Sequence, residues 1–298
     1  MMICSRTTRL QTRNEMEVSV ITDEIDNDLE RAAAVMVECG VRVAELRQIW
    51  DKNIVDAPRE YWERARDIFA RQDIRVAGIA SPFFKCDLPG DTSSAPAGRM
   101  HSAQVRGLDE QTQVLDRAIE AAHFFDTKLV RVFSFWRRGS LTQEVEDTIV
   151  DSFREPAATA AGSGIVLGIE NEGACYIGTG EQLASVLKKI DSEAVRAIWD
   201  PGNALLDGDE PYPRGYNAVR DFIAHVHVKD YKMPAGQGSP QWAVVGEGDI
   251  DYTGQVRALK ESGYDGYLSL ETHYDGNGSK EAACRLCLER LIVIAGSA

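Results

Sequence analysis

Four short hydrophobic runs in the second half of the chain each end on a side chain that can hold a cation or move a proton. IVLGIE closes on Glu170, AVRAIWD on Asp200, IAHVHV carries His227, and GYLSLE closes on Glu271. Short, nearly continuous apolar runs of this kind are the pattern of strands buried on both faces of a parallel sheet. Two Glu, one Asp and one His at four successive strand ends offer carboxylate oxygens and one imidazole nitrogen. That donor set suits one divalent cation, manganese first, with magnesium, cobalt or zinc as alternatives. A cation bound to a carbonyl and the adjacent hydroxyl acidifies the carbon-bound proton and stabilises the enediolate formed when it leaves. A glutamate on either side of that carbon could remove and return the proton, and Glu170 and Glu271 are the pair available.

Further residues fall near the same strand ends. Strand periodicity turns His225 and Lys229 the same way as His227, with His225 deeper as a core histidine and Lys229 further out, toward a substrate oxygen or carboxylate. In VRVAELR, Glu45 and Arg47 share a face, so they either pair across the interior or meet substrate. Lys85 follows the third strand in a long connection. Trp136 and Arg137 follow the fourth and could stack on and hydrogen-bond a polyol, or else cap the edge of the core. Asn203 lies three residues past Asp200 in a Pro-Gly-Asn turn signal.

The elements that must position these groups recur along the chain. Strands are predicted at 17–22, 41–47, 74–81, 128–135, 165–170, 194–200, 224–230 and 266–271, with helical patterns after each. The helices are expected near 29–39, 58–72, 101–125, 141–161, 179–190, 216–222, 252–262 and 279–294. Asn27 or Asp28 caps the first, and Pro58 starts the second. His101 and His123 are read as helical surface or packing residues. Two long connections, 82–100 and 231–251, are candidate covers. Eight strand–helix units give an α/β fold, a single (β/α)8 TIM barrel over 17–298 with its site at the carboxyl ends of the strands. Residues 1–16, Arg- and Thr-rich, read as a flexible leader.

Bulk properties narrow the partners. Against 33 Lys and Arg stand 47 Asp and Glu, a formal charge of -14, and no basic stripe is evident, so nucleic acid is not expected. No run approaches the ~20 apolar residues of a membrane-spanning helix, so no membrane partner is expected. Six scattered cysteines fit a reducing cytoplasm, and Cys284 and Cys287 read as two small apolar residues on a terminal helix. The partner expected is a small carbohydrate-like molecule, with a homo-oligomer formed through outer helices.

IENE with Glu170, DPGN with Asp200, HVHVKD with His227, GEGDIDY from Gly246 and SLETHY with Glu271 together resemble the xylose isomerase-like barrel superfamily of sugar isomerases and epimerases. TDEI, ELR and ASPFFK extend the resemblance back to about residue 17. In ketose 3-epimerases of that superfamily the four matching positions bind one divalent metal and the two glutamates serve as acid and base. The resemblance therefore implies those roles here, in an isomerase or epimerase acting on a ketose, keto-inositol or small hydroxy-keto compound. Where those epimerases often carry a histidine three residues after the metal aspartate, this chain has Asn203, which hydrogen-bonds but carries no proton. The superfamily also includes inosose dehydratases and related lyases, which use the same chemistry to eliminate. Its apurinic-site endonuclease branch has a histidine-rich three-zinc site, and five histidines in all do not match it.

Overall fold

The computed structural model describes residues 16–91, 95–236, 238–276 and 278–297; the predicted leader, except Met16, lies outside them. Eight strands form the wall of a closed barrel: β1 (Glu17–Ile21), β2 (Val43–Leu46), β3 (Arg75–Ala80), β4 (Leu129–Val132), β5 (Val166–Glu170), β6 (Val195–Trp199), β7 (Ile223–Val228) and β8 (Tyr267–Leu270). Each pairs in parallel with its sequence neighbours, and β8 closes on β1. This is a (β/α)8 TIM barrel. Register sets the level of the site: Ile21 faces Glu45, Glu170 faces Ile198, and Ser269 faces His227.

The outer helices are α1 (Leu29–Glu38), α2 (Arg59–Gln72), α3 (Gln111–Phe124), α4 (Gln143–Ser152), α5 (Arg154–Ser163), α6 (Gly180–Ile190), α7 (Pro201–Leu206), α8 (Tyr216–Val219), α9 (Tyr252–Glu261) and α10 (Lys280–Ser297). Asp28 caps α1 by accepting from the Glu30 amide, and Thr179 and Gln182 form a capping box on α6. Trp62, Trp199 and Phe153 are fully buried among the aliphatic residues between strands and helices. Cys284 and Cys287 are buried in α10, where Cys287 Sγ meets Thr272 Oγ1 at 3.4 Å. Among the described residues no helix is long and apolar enough to cross a membrane.

Three predicted elements differ. The expected helix over 101–125 begins only at Gln111, because the carboxylate of Asp56 holds the Gln104 amide and the Arg106 guanidinium in an extended connection. His101 is therefore a loop residue with φ +45°, not a helical one. The helix expected over 141–161 is two, joined at Phe153, and the second ends at Gly164 with φ +67°. After Asp200 the chain forms α7 rather than a simple turn: Asp200 Oδ1 accepts from the Asn203 amide at 2.8 Å and Pro201 takes the first helical position.

Gly168 lies in the middle of β5, where a Cβ atom would come within 2.5 Å of Ile198 Cγ1 and 3.2 Å of Leu129 Cδ1. Any side chain there overpacks three adjacent strands. Gly168→Ala is expected to destabilise the barrel by about 1–3 kcal/mol, read as a lower denaturant midpoint with an unchanged slope.

Candidate active site

The carboxyl ends of the strands deliver four potential ligands to one point. Glu170 ends β5, Asp200 follows β6, His227 lies in β7 and Glu271 follows β8. All four are buried, and one donor atom from each lies within 4.8 Å of the others. The imidazole of His227 is fixed from both sides. Its Nδ1 is 3.1 Å from Glu170 Oε1 and 3.6 Å from Glu271 Oε2, while Nε2 is 3.1 Å from Glu45 Oε1. Glu45 also meets His225 Nε2 at 3.0 Å and accepts from Ser269 Oγ at 2.6 Å. The Glu45 carboxylate on Nε2 holds a proton there and aims Nδ1 toward the other three ligands. Burial opposes a charge on His227, but Glu45 and Glu170 outweigh it and raise its pKa well above the usual range.

Three cationic side chains balance the carboxylates. Lys229 Nζ lies 2.8 Å from both Asp200 Oδ2 and Glu271 Oε2. Arg131 Nη1 is 3.3 Å from Glu170 Oε2 and 3.5 Å from Glu271 Oε1. Arg47 Nη1 donates to Glu271 Oε1 at 2.7 Å, and its other nitrogens hold Asp23 and Glu24. Burial works against the Glu271 charge, yet Lys229, His227 and Arg47 overcome it and hold this carboxyl well below the usual range. Glu170 is lowered as well: burial and the Glu271 charge push it up, and His227 and Arg131 prevail. At Asp200 burial wins, despite Lys229, and lifts the carboxyl to about 7.

The structure brings some of the predicted substrate contacts to the cleft and not others. A cavity of about 200 Å³ above the ligands is lined by Lys85, Asn203, Lys229 and Glu271, among others. Asn203 donates to Glu170 Oε1 at 3.2 Å and to the Asn171 carbonyl at 2.8 Å. Glu45 and Arg47 do not pair with each other. Glu45, fully buried below His227, is enclosed by histidines and Ser269, whereas Arg47, beyond the end of β2, reaches the acids after β1 and β8. Trp136 and Arg137 are absent from the cavity lining. Trp136 packs with Phe133 and Cys175, and Arg137 makes a two-pronged pair with Asp207 at 2.8 and 2.9 Å. For these two the edge-of-core alternative describes the packing, because α7 places Asp207 within reach of the guanidinium.

Several cleft residues escaped sequence reasoning. Arg131, a buried charge inside the apolar strand LVRV, carried a visible signal. His273, two residues past Glu271, lies 3.6 Å from Glu24 through Nδ1, and burial presses its pKa down to about 3. His101 is also pushed far down by burial, and its ring stacks 6.5 Å from that of His273. Trp242 and Tyr231 meet with centroids 4.1 Å apart on a small hairpin, Asp230–Lys232 with Gln241–Ala243, that covers the site. No local periodicity marks loop residues of this kind.

The donor set fits a divalent cation. Glu170 Oε2 and Asp200 Oδ2 are buried and accept no well-directed hydrogen bond, and three carboxylates beside an imidazole are ligands for a hard or borderline ion. Arg131 and Lys229 stand 3.3 and 2.8 Å from these two oxygens without hydrogen-bond geometry, so their lone pairs remain able to turn to an ion.

A family model described as the xylose isomerase-like TIM barrel matches residues 32–289. The chain belongs to that family. Two inosose dehydratases are among the relatives of this family member: that of Lacticaseibacillus casei is 29% identical over 34% of this chain and 39% of its own length, and that of Geobacillus thermodenitrificans is 23% identical over 68% and 71%. The match to the first thus spans about two fifths of that relative. Among solved structures, the probable 3-DHS dehydratase AsbF of Bacillus anthracis superposes with a TM-score of 0.71 at 16% identity, covering 93% of this chain and 98% of that one. A Mycobacterium smegmatis barrel of the family in complex with magnesium reaches 0.68 at 18% identity, covering 95% and 97%. D-allulose 3-epimerase from Methylomonas sp. gives 0.68 at 15% identity, covering 96% and 98%. At such identities these likenesses bear on the fold.

Glu45→Gln removes the charge that fixes the His227 tautomer while conserving shape. Manganese affinity, measured by competition with a chromogenic chelator, is expected to fall about 10–100-fold with the circular dichroism spectrum unchanged.

Proposed function

We propose that the chain is a divalent-cation-dependent enzyme that removes the proton beside the carbonyl of a polyhydroxylated ketone and expels a neighbouring hydroxyl as water. The observation that carries this reading is the convergence of Glu170, Asp200, His227 and Glu271 on the floor of a cleft ringed by cationic side chains. Glu170, Asp200, His227 and Glu271 would hold one cation, manganese or magnesium, which when bound supplies Lewis acidity to the carbonyl oxygen.

The residues divide the remaining work. Arg131 and Lys229 stabilise the negative charge that develops on the enolate oxygen in a buried, low-dielectric setting. Glu170 meets its nearest Arg or Lys, Arg131, at 3.3 Å, whereas Glu271 is gripped by Arg47 and Lys229 at 2.7 and 2.8 Å, so Glu170 is the freer base for the carbon-bound proton. The electrons of that C–H bond form the new double bond as the β C–O bond breaks. Glu170 then returns its proton to the departing hydroxide, so the net loss is one water. Dehydration by a single carboxylate suits this site better than epimerisation, which needs a second group to deliver a proton to the opposite face. Glu271 is held as carboxylate by Arg47 and Lys229, and the Asn203 amide donates hydrogen bonds but is no acid. The inosose dehydratase relatives support the same choice. Isomerisation or epimerisation remains the second reading, supported by the flanking Glu170–Glu271 pair and sharing the first proton transfer.

The test is incubation of the manganese-loaded protein with a panel of inososes and polyhydroxylated keto-acids in deuterium oxide. Products lighter by one water are expected, with solvent deuterium entering only at the former β carbon when the enol product ketonises, and Glu170→Gln should lower the rate by about 10²–10⁴-fold. Deuterated products of unchanged skeleton would establish epimerisation instead, and no exchange with any ketone would make the barrel a binding protein.

A further inference from the structure

The positive side chains around the cleft fall into two groups. Arg131 and Lys229, at the floor, lie within 3.5 Å of the ligand carboxylates. Lys85 and Arg99 line the same cavity, yet among the described residues no carboxylate lies within the 4.0 Å of an ion pair from either. Glu172, which also lines it, is beyond that distance.

Lys85 is the more telling of the two. It is only 5% exposed, and it follows β3 at the base of the connection that bridges the cleft. Its Nζ donates to the Arg99 carbonyl at 3.1 Å and stands 4.1 Å over the Phe133 ring and 5.6 Å from that of Trp136. Burial accordingly presses its pKa down, Glu172 countering in part. A carbonyl and two ring faces orient an ammonium but do not neutralise it, and a buried charge without a counter-charge is costly. The chain has no shortage of acids, with 47 Asp and Glu against 33 Lys and Arg. That no described acid pairs with Lys85 or Arg99 leaves both cations available to a ligand that enters the cleft. The walls beside them, Trp242, Tyr231 and His273, offer ring faces to a carbon skeleton.

We propose that the substrate bears an oxyanion substituent, a carboxylate or a phosphate ester, that docks against Lys85 and Arg99 while its ketone faces the four ligands below. The inference rests on the reaction proposed above and narrows its substrate from polyhydroxylated ketones in general to acidic ones. Lys85 supplies a desolvated, directional contact; Arg99, exposed on the covering connection, supplies a second charge once the substrate is in place.

Three non-reacting probes of similar size separate the possibilities: myo-inositol, quinate, and myo-inositol 1-phosphate, each titrated calorimetrically into the full-length manganese-loaded protein. At least one of the two anions is expected to bind about tenfold or more tightly than myo-inositol, with a preference that weakens as salt is raised. Whichever anion binds better identifies carboxylate or phosphate as the group recognised. Lys85→Gln should reduce anion binding to the level of myo-inositol, Lys85→Arg should keep most of the preference, and Arg99→Gln, at an exposed position that the fold tolerates, should lose part of it. Equal or absent binding of all three probes by the wild type overturns the inference, as does a preference that survives both glutamine variants. Because the probes do not react, the outcome is independent of turnover. Anion preference without proton exchange supports the subsite and overturns only the reaction; exchange with neutral ketones and no anion preference does the reverse.

Discussion

Charge compensation inside a closed barrel is the constraint on which the rest of this structure depends. Glu45, Glu170, Asp200 and Glu271 are all withdrawn from water at the carboxyl ends of the strands, with Asp23 and Glu24 beside them. Ionised carboxylates in such a place persist only when matched by positive charge and hydrogen bonds. Arg47, Arg131, Lys229 and His227 supply that match, drawn from three strand ends: Arg47 after β2, Arg131 in β4, and His227 and Lys229 at β7. The match is uneven: Glu271 is held firmly as an anion, while at Asp200 desolvation prevails.

The barrel turns this electrostatic problem into a geometric one. Parallel pairing of eight strands sets their carboxyl ends at one level, and helix α7, capped by Asp200 itself, locks that residue by spending Oδ1 on the Asn203 amide and leaving Oδ2 to the site. Asn171 braces the same corner, accepting from the Asp200 amide through its side-chain oxygen and donating to the Gly178 and Asp200 carbonyls. Below the ligands, Glu45 joins two histidines and a serine from β7 and β8. A site held this way from beneath is free to vary above, where connections rather than strands form the walls.

Those connections determine what the cleft admits. Lys85 joins the end of β3 to the Arg99 carbonyl on one cover, and the Asp230–Lys232 hairpin brings Trp242 against His273 from the other side. Asp230 anchors the second cover by accepting from the Gly246 and Gly248 amides. The four candidate ligands and the rim therefore rest on separate supports, one on strand ends and one on the connections.

The sequence by itself determined the barrel and the positions of Glu170, Asp200, His227 and Glu271, because each stands at the end of a hydrophobic run whose period and length are local properties of the chain. It also marked Lys229 through strand alternation and Lys85 through its connection. Only the tertiary structure decided the partners. Glu45 and Arg47, two residues apart, were legible as a pair, yet one turns to the histidines of β7 and Ser269 of β8 and the other to the acids after β1 and β8, since which strand lies across the barrel is not written in either residue's neighbours. Trp136 and Arg137 looked like cleft residues from their place after β4, and α7 supplied the Asp207 that holds the guanidinium elsewhere. His101, His273 and Trp242 reached the cleft on connections without periodicity. Secondary structure follows from patterns a few residues long, whereas the pairing of buried charges follows from contacts up to 224 residues apart, as between Arg47 and Glu271, and only the folded chain brings those together.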